Sequence, residues 1–418
     1  MTVTQPPTPP PSALDRADER LSQDDGFAGA LRSFWRSVKA GDVGVLPVVI
    51  GLLVICTIFQ SLNPIFLSSA NLVNLTLDSC AVGIISLGIV CVLLVGEIDL
   101  SVGSVSGLSG AIVGVLSVRH GWNWMLAVVL ACAVALLIGL IYGIALTRFG
   151  MPSFVASLSG LLAFLGLQLA ILGDQGSVNL PFDSALVQFA QVAFVPAWLS
   201  YTLAVIAGAG LFVSGFERRQ RRKKANLSVG SLNFLVLRSV ALVAGLGIFA
   251  WYLNQERGVG WMVVLFVALV LVLNYAFTRT KWGRSLRAVG GNEEATRRSG
   301  INVGRIYLTA FAVCSFLACV GGILAAARLA SANLSSGTGD VNLNAIAAAV
   351  IGGTSLFGGR GSAFSALLGT LVIAAIASGL TLLNLDSSYR FIITGLVLAV
   401  AVAIDSVARK SRASHGRA

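Results

Sequence analysis

Apolar residues run through this chain in long blocks separated by short polar breaks. The blocks fall at about 43–60, 73–96, 101–118, 123–146, 152–172, 197–215, 233–253, 259–278, 306–328, 342–358, 362–384 and 390–408. Blocks near the 20 residues that cross a bilayer core read as transmembrane helices. The pattern therefore predicts an all-α polytopic membrane protein of about twelve spans. Segments 73–96 and 342–358 are rich in Gly and small polar residues, which marks them as candidates for broken or re-entrant helices and widens the count to 10–12. Residues 1–40, with PPTPPPS and an acidic-polar stretch, predict a disordered cytoplasmic tail, and they lack the basic and short apolar regions of a signal peptide. Residues 41–408 predict one membrane domain, and 409–418 a cytoplasmic C-terminal tail.

Composition agrees. Hydrophobic residues make up 56% and charged residues 11% of 418, against roughly 25% charged in a soluble protein. The net charge of +11 does not point to nucleic acid, because the basic residues sit at the ends of apolar blocks. With the N-terminus inside, the outer positions hold only Arg119, Arg257, Arg328 and Arg390 of 29 Lys and Arg residues. That bias places both termini in the cytoplasm. Trp122, Trp124, Trp198, Trp251 and Trp261 fall near the outer interface, and Trp35 and Trp282 near the inner one, as an aromatic belt requires. The six cysteines lie inside apolar blocks without metal-ligand spacing and read as buried small hydrophobes. His120 and His415 have no catalytic neighbourhood.

One polar break stands out: GEIDLSVGS, residues 96–104. Carboxylates near lipid cost several kcal/mol unless satisfied. Asp99 or Ser101 can cap a helix starting near Val102; alternatively Glu97, Asp99, Ser101 and Ser104 border a translocation cavity. No nucleophile or activating histidine accompanies the carboxylates, so the break does not read as an enzyme site. VGEIDLSVG (95–103) and IGGTSLFGG (351–359) share glycine positions and hint at an internal repeat. The polar segment NLSSGTGDVNLN, from Asn333 through Asp340 to Asn344, reads as an outer gate, a docking surface or an ordinary loop. Thr354 and Ser355 are polar for a span interior and either line the pathway or pack tightly.

The segment 281–305, KWGRSLRAVGGNEEATRRSGINVGR, carries a complete set of helix-end signals. Asn292 is a capping residue following Gly291. Glu293 and Glu294, followed by Ala295, sit at the positive end of the helix dipole, and Arg297 and Arg298 at its negative end. Gly300 can stop the helix in the left-handed conformation. The segment reads either as a solvated loop helix or as a docking element for a cytosolic partner.

GGNEEATRRSGI (290–301) resembles the cytoplasmic coupling-helix segment of permease subunits in ribose/xylose-type sugar ABC importers. GEIDLSVGSV (96–105), ARLASANLSSGTGDVNLNAIAAAVIGGTSLFGGRGS (327–362) and the two closing spans (363–408) resemble further segments of that family in the same order. The resemblance covers roughly 43–175 and 260–408. At about 195–258 the chain carries two additional spans joined by the basic loop FERRQRRKKANL (216–227), a feature resembling the xylose-type branch. The resemblance implies a bacterial cytoplasmic-membrane permease importing a monosaccharide, a pentose and xylose first, by alternating access. It implies a second permease copy, a cytosolic ATPase and an extracytoplasmic sugar-binding protein as partners, besides the bilayer. No G-x-x-x-x-G-K-[ST] phosphate loop occurs in the sequence, so the chain has no ATPase motif of its own and is expected to bind no cofactor. The alternatives are a permease of the same type for ribose, another hexose, a nucleoside or an autoinducer, an ion-coupled secondary transporter, or a membrane scaffold.

Overall fold

The computed structural model describes residues 46–338 and 340–414. The expected 1–40 tail with Trp35, and His415 with the last residues, lie outside the described residues. Every apolar block forms helix. In chain order these are α1 (Leu46–Leu62), α2 (Ser69–Leu94), α3 (Val102–Arg119), α4 (Trp124–Phe149), α5 (Ser153–Leu172), the short α6 (185–192), α7 (Ala197–Lys224), α8 (Leu232–Leu253), α9 (Trp261–Arg279), α10 (Lys281–Gly291), α11 (Glu293–Arg298), α12 (Val303–Leu329), α13 (Asp340–Ile351), α14 (Ala363–Leu382) and α15 (Ser387–Ser414). Among the described residues, nine helices are long and apolar enough to cross a membrane, and α1, α13 and the apolar part of α15 are shorter. One small antiparallel pair, β1 (Ser177–Asn179) with β2 (Ser331–Asn333), joins two connections.

Two expectations about broken helices separate here. The 73–96 block is one unbroken helix of 26 residues, started by Ser68, whose side chain accepts from the Asn71 N–H. Its small residues serve packing, as they do elsewhere in lipid-embedded bundles. The 342–358 block does break. Helix α13 has 12 residues, which rise only about 18 Å, short of a bilayer core of roughly 30 Å. The basic stretch 216–227, expected as a loop, is helical as far as Lys224. The expected C-terminal tail is helical as far as Ser414.

The chain divides into two compact units. The larger, 44–195 with 259–410, centres on α2, α3 and α12. In these helices 89%, 78% and 72% of the apolar window is buried, whereas α4 and α5 bury 28% and leave the rest of their apolar surface outside the bundle. Helix α12 packs on α2, α3 and α4. The smaller unit contains residues 196–258, a hairpin of α7 on α8. Asn254 Nδ2 donates to Ser200 Oγ at 3.1 Å across it, and Gly208 faces Val243 and the Ser239 carbonyl.

The two segments of the hinted repeat end their helices alike, one residue out of the register read from glycines. Helix α2 ends with Gly96 at φ 84° and α13 with Gly353 at φ 99°. The Gly96 and Glu97 amides donate to Leu93 and Val92; those of Gly353 and Thr354 donate to Val350 and Ala349. Both are Schellman ends, in which a left-handed residue lets two amides reach back to orphan carbonyls. At these turns Gly96 stands where Gly353 does, and Gly300 and Asn384 end their helices with the same pair of bonds.

Candidate functional site

The 281–305 segment folds as its local signals dictate. Thr280 Oγ1 accepts from the Gly283 N–H at 3.1 Å and starts α10, whose Leu286 and Val289 are buried. Trp282 stacks on Phe277 at 6.0 Å and donates its indole N–H to Thr309 Oγ1 at 2.8 Å. Asn292 Oδ1 then accepts from the Ala295 N–H at 2.8 Å and caps α11. Glu293 pairs with Arg297, and Glu294 with Arg298 at 3.0 Å, each four residues apart. Such pairs add a few tenths of a kcal/mol each. Gly300, at φ 83°, ends the turn. Tyr307 on α12 donates to Glu293 Oε2 at 3.2 Å and ties the small helix to a long one.

Three backbone segments meet beneath it. Gly359 donates its N–H to the Leu94 carbonyl at 3.0 Å. Gly290 lies against the same carbonyl so closely that a methyl group there would overlap it and come within 2.6 Å of the Gly359 nitrogen. Arg287 donates to the Gly361 carbonyl at 3.4 Å. The end of α10 is thus clasped to the end of α2 and to the 352–362 connection between α13 and α14. The neighbouring Gly291, singled out from sequence, has open space where a side chain would go. Gly290 is one residue that sequence reasoning missed, since only the tertiary approach tells the two glycines apart.

A cleft of about 420 Å³ opens beside α11, lined by Glu97, Thr147, Glu293, Arg297, Asn302 and Tyr307 among others. Glu97 Oε2 accepts from Ser153 Oγ. Burial pushes its carboxyl above the ordinary glutamate range; the Ser153 hydroxyl opposes that and Glu293 adds to it.

The remaining residues of the 96–104 break do not line this cleft. Asp99 is 1% exposed, and its Oδ1 accepts from the Ser101 N–H at 2.8 Å and Ser101 Oγ at 2.7 Å. It folds its own turn and does not cap α3; Ser101, at the cap position, makes no side-chain cap bond either. Ser104 Oγ is spent on the Ser101 carbonyl. Non-helical backbone buried in a bundle is tolerated because protein, not lipid, surrounds it. Gly103 donates to Asn342 Oδ1, so the start of α3 meets the start of α13. Asn333 Oδ1 accepts from the Ser335 N–H and from the Ser335 and Ser336 hydroxyls, and so organises its own turn. Thr354 and Ser355 are buried within the 352–362 connection.

Of the polar residues expected in a pathway, Asp340 and Asn344 do share a cavity. It measures about 430 Å³ and is lined by α2, α13, α14 and Arg390 of α15. On α2 its lining runs from Asn71 to Val82, about 16 Å of helix rise, or half a bilayer core. Asp340 accepts from Arg390 at 2.9 Å and from Asn344 Nδ2 at 3.2 Å. Asp78 accepts from Arg328 at 2.8 Å. Asn71 Oδ1 accepts from Ser378 Oγ at 3.0 Å. Asn71, Asn74, Asp78, Ser378 and Arg390 carried no sequence signal for a site, because each reads locally as one polar residue on an apolar helix.

Residues 71–402 match the family described as branched-chain amino acid transport system / permease component. The chain is 35% identical over 347 residues to the xylose transport system permease protein of Escherichia coli K12, covering 82% of this chain and 87% of that one. It is 32% identical over 380 residues to the corresponding protein of Haemophilus influenzae, covering 89% and 99%. Identity to the ribose import permease protein of Escherichia coli K12 is 31% over 359 residues, covering 86% and 92%. No solved structure matches.

Proposed function

Because the chain belongs to the family of branched-chain amino acid transport system permease components, we propose that it is the membrane-spanning subunit of an ATP-driven sugar importer, with xylose as its first solute. The named relatives, two for xylose and one for ribose, support a sugar over an amino acid. As a permease it translocates solute and leaves ATP hydrolysis to a cytosolic partner. An extracytoplasmic binding protein delivers the sugar, and a second copy of the chain completes the pathway.

The observation that carries this reading is the clasp between the 281–305 segment and the bundle. Helix α11 is capped at both ends and laced by two ion pairs, so it moves as one body. A closing ATPase surface pushes it. The Tyr307–Glu293 hydrogen bond hands the push to α12, and the Gly290 contact hands it to α2 and the α13–α14 connection. The cavity walled by α2, α13 and α14 then changes the side to which it opens, as alternating access requires. ATP shifts this equilibrium only as far as the ATPase binds one arrangement better than the other.

Reversing the acidic turn tests the assignment. The double variant Glu293→Lys, Glu294→Lys breaks both ion pairs and places like charges at the positive helix end. Membrane levels stay near those of the wild type, while ATP-dependent uptake falls and hydrolysis becomes uncoupled from it. Normal uptake by this variant contradicts the proposed role of α11.

A further inference from the structure

The cavity between α2, α13 and α14 has a chemistry of its own, and resting on the importer reading above, we propose that it is the station where this chain holds its solute and that it selects neutral polyhydroxylated molecules over amino acids and other ions. Four observations converge on this.

First, its charges are compensated. Asp340 is paired with Arg390 and Asp78 with Arg328. A zwitterionic amino acid needs an unpaired cation and an unpaired anion to offset its desolvation. Breaking either pair to provide one leaves a partly buried charge uncompensated.

Second, the lining hydroxyls have spent their protons. Thr370 donates to the Ala366 carbonyl at 2.6 Å, Ser79 to Thr76 at 2.8 Å and Thr381 to Ala377 at 2.8 Å. Ser378 donates to Asn71. Ser378 and Thr381, the more exposed of the four, are thus left with acceptor lone pairs, which suit a ligand rich in O–H donors.

Third, the size fits. About 430 Å³ lies at the small end of the roughly 300–1,000 Å³ typical of ligand sites.

Fourth, the walls lead to the clasp. Helix α13 is a half-length helix whose first turn, Asp340 to Asn344, faces the cavity and whose far end is the turn at Gly353. Discontinuous helices of this kind place solute sites within transporters. Helices α2 and α14 likewise run from the cavity to the three-segment contact around Gly290.

The test uses the permease reconstituted with its ATPase and binding protein. Asn344→Leu keeps the side-chain size and removes a polar group from the cavity; Leu343→Ala, at an exposed neighbour outside the lining, is the control. Losing one good hydrogen bond to a sugar raises the xylose KM about tenfold in Asn344→Leu, while Leu343→Ala behaves like wild type. A second readout does not depend on turnover. In Asn344→Cys, xylose slows labelling by a membrane-impermeant maleimide, whereas xylonate and valine do not; wild type reports the background of the native cysteines. ATP-driven uptake by wild type, together with an unchanged KM in Asn344→Leu and no protection by xylose, overturns the station and leaves the importer reading standing. Protection by xylonate or valine equal to that by xylose overturns the selectivity. Absence of ATP-driven uptake by wild type overturns the importer reading, and xylose protection then upholds the station by itself.

Discussion

The contact around Gly290 and the cavity around Asn344 lie at opposite ends of the same helices and are built from opposite materials. The first is backbone against backbone, a carbonyl, an amide and a glycine with no room for a methyl group. The second is side chain against side chain, with amides, hydroxyls and two compensated ion pairs around open volume. A junction that transmits displacement gains from having nothing compressible in it, because close-packed atoms pass on a shift where flexible side chains absorb it. A solute station gains from the reverse, several weak and separately replaceable contacts that bind and release. The two regions should therefore fail differently. A single methyl group disables the junction, and the cavity loses affinity by degrees.

Alanine at two adjacent glycines gives the largest expected contrast. Gly290→Ala forces backbone apart, at about 1–3 kcal/mol as for other overpacked sites. Uptake per permease in the membrane falls at least tenfold, and the thermal unfolding midpoint drops. Gly291→Ala meets open space and leaves both near wild type, so equal losses at the two positions would remove the basis for the junction. Tyr307→Phe is milder. It deletes the bond to Glu293, worth on the order of 1 kcal/mol, and transport per ATP hydrolysed falls a few-fold with the sugar KM unaltered. A KM change in that variant would move Tyr307 from the coupling side of the comparison to the solute side.

The smallest effect concerns pH. Burial raises the Glu97 pKa in the folded chain. Between its ordinary value of about 4.3 and the raised one, the folded state holds a proton that the unfolded state has released. Stability from this group is therefore present below about pH 4.3 and is lost as pH rises through the folded value. Glu97→Gln removes that slope. Its unfolding midpoint varies less than that of wild type across the window starting near pH 4.3, and identical profiles would show that Glu97 titrates as an exposed carboxylate.

The parts of this architecture that local chemistry encodes were legible in the sequence. Twelve apolar blocks became helix, and Asn292, Glu293, Arg298 and Gly300 formed the short helix that their order specifies. Features that depend on long-range approach were not legible. Gly290 and Gly291 differ only in what another segment brings near them. Asp99 lies two residues before the cap position, and its carboxylate accepts from Ser101 instead of capping the helix. The cavity gathers Asn71, Asn344, Ser378 and Arg390 from distant parts of the chain, and only Asp340 and Asn344 had been marked, through the polarity of their own segment. The glycines of 95–103 and 351–359 invite an alignment that the hydrogen bonds ending α2 and α13 shift by one residue.

The most direct test of the central claim is uptake of radiolabelled xylose into proteoliposomes containing this chain, its ATPase and its binding protein, with ribose and glucose as competitors. The account predicts uptake that requires ATP and that excess unlabelled xylose abolishes. Xylose accumulation that proceeds without ATP along an imposed ion gradient, or none under any condition while an amino acid is taken up, would contradict it.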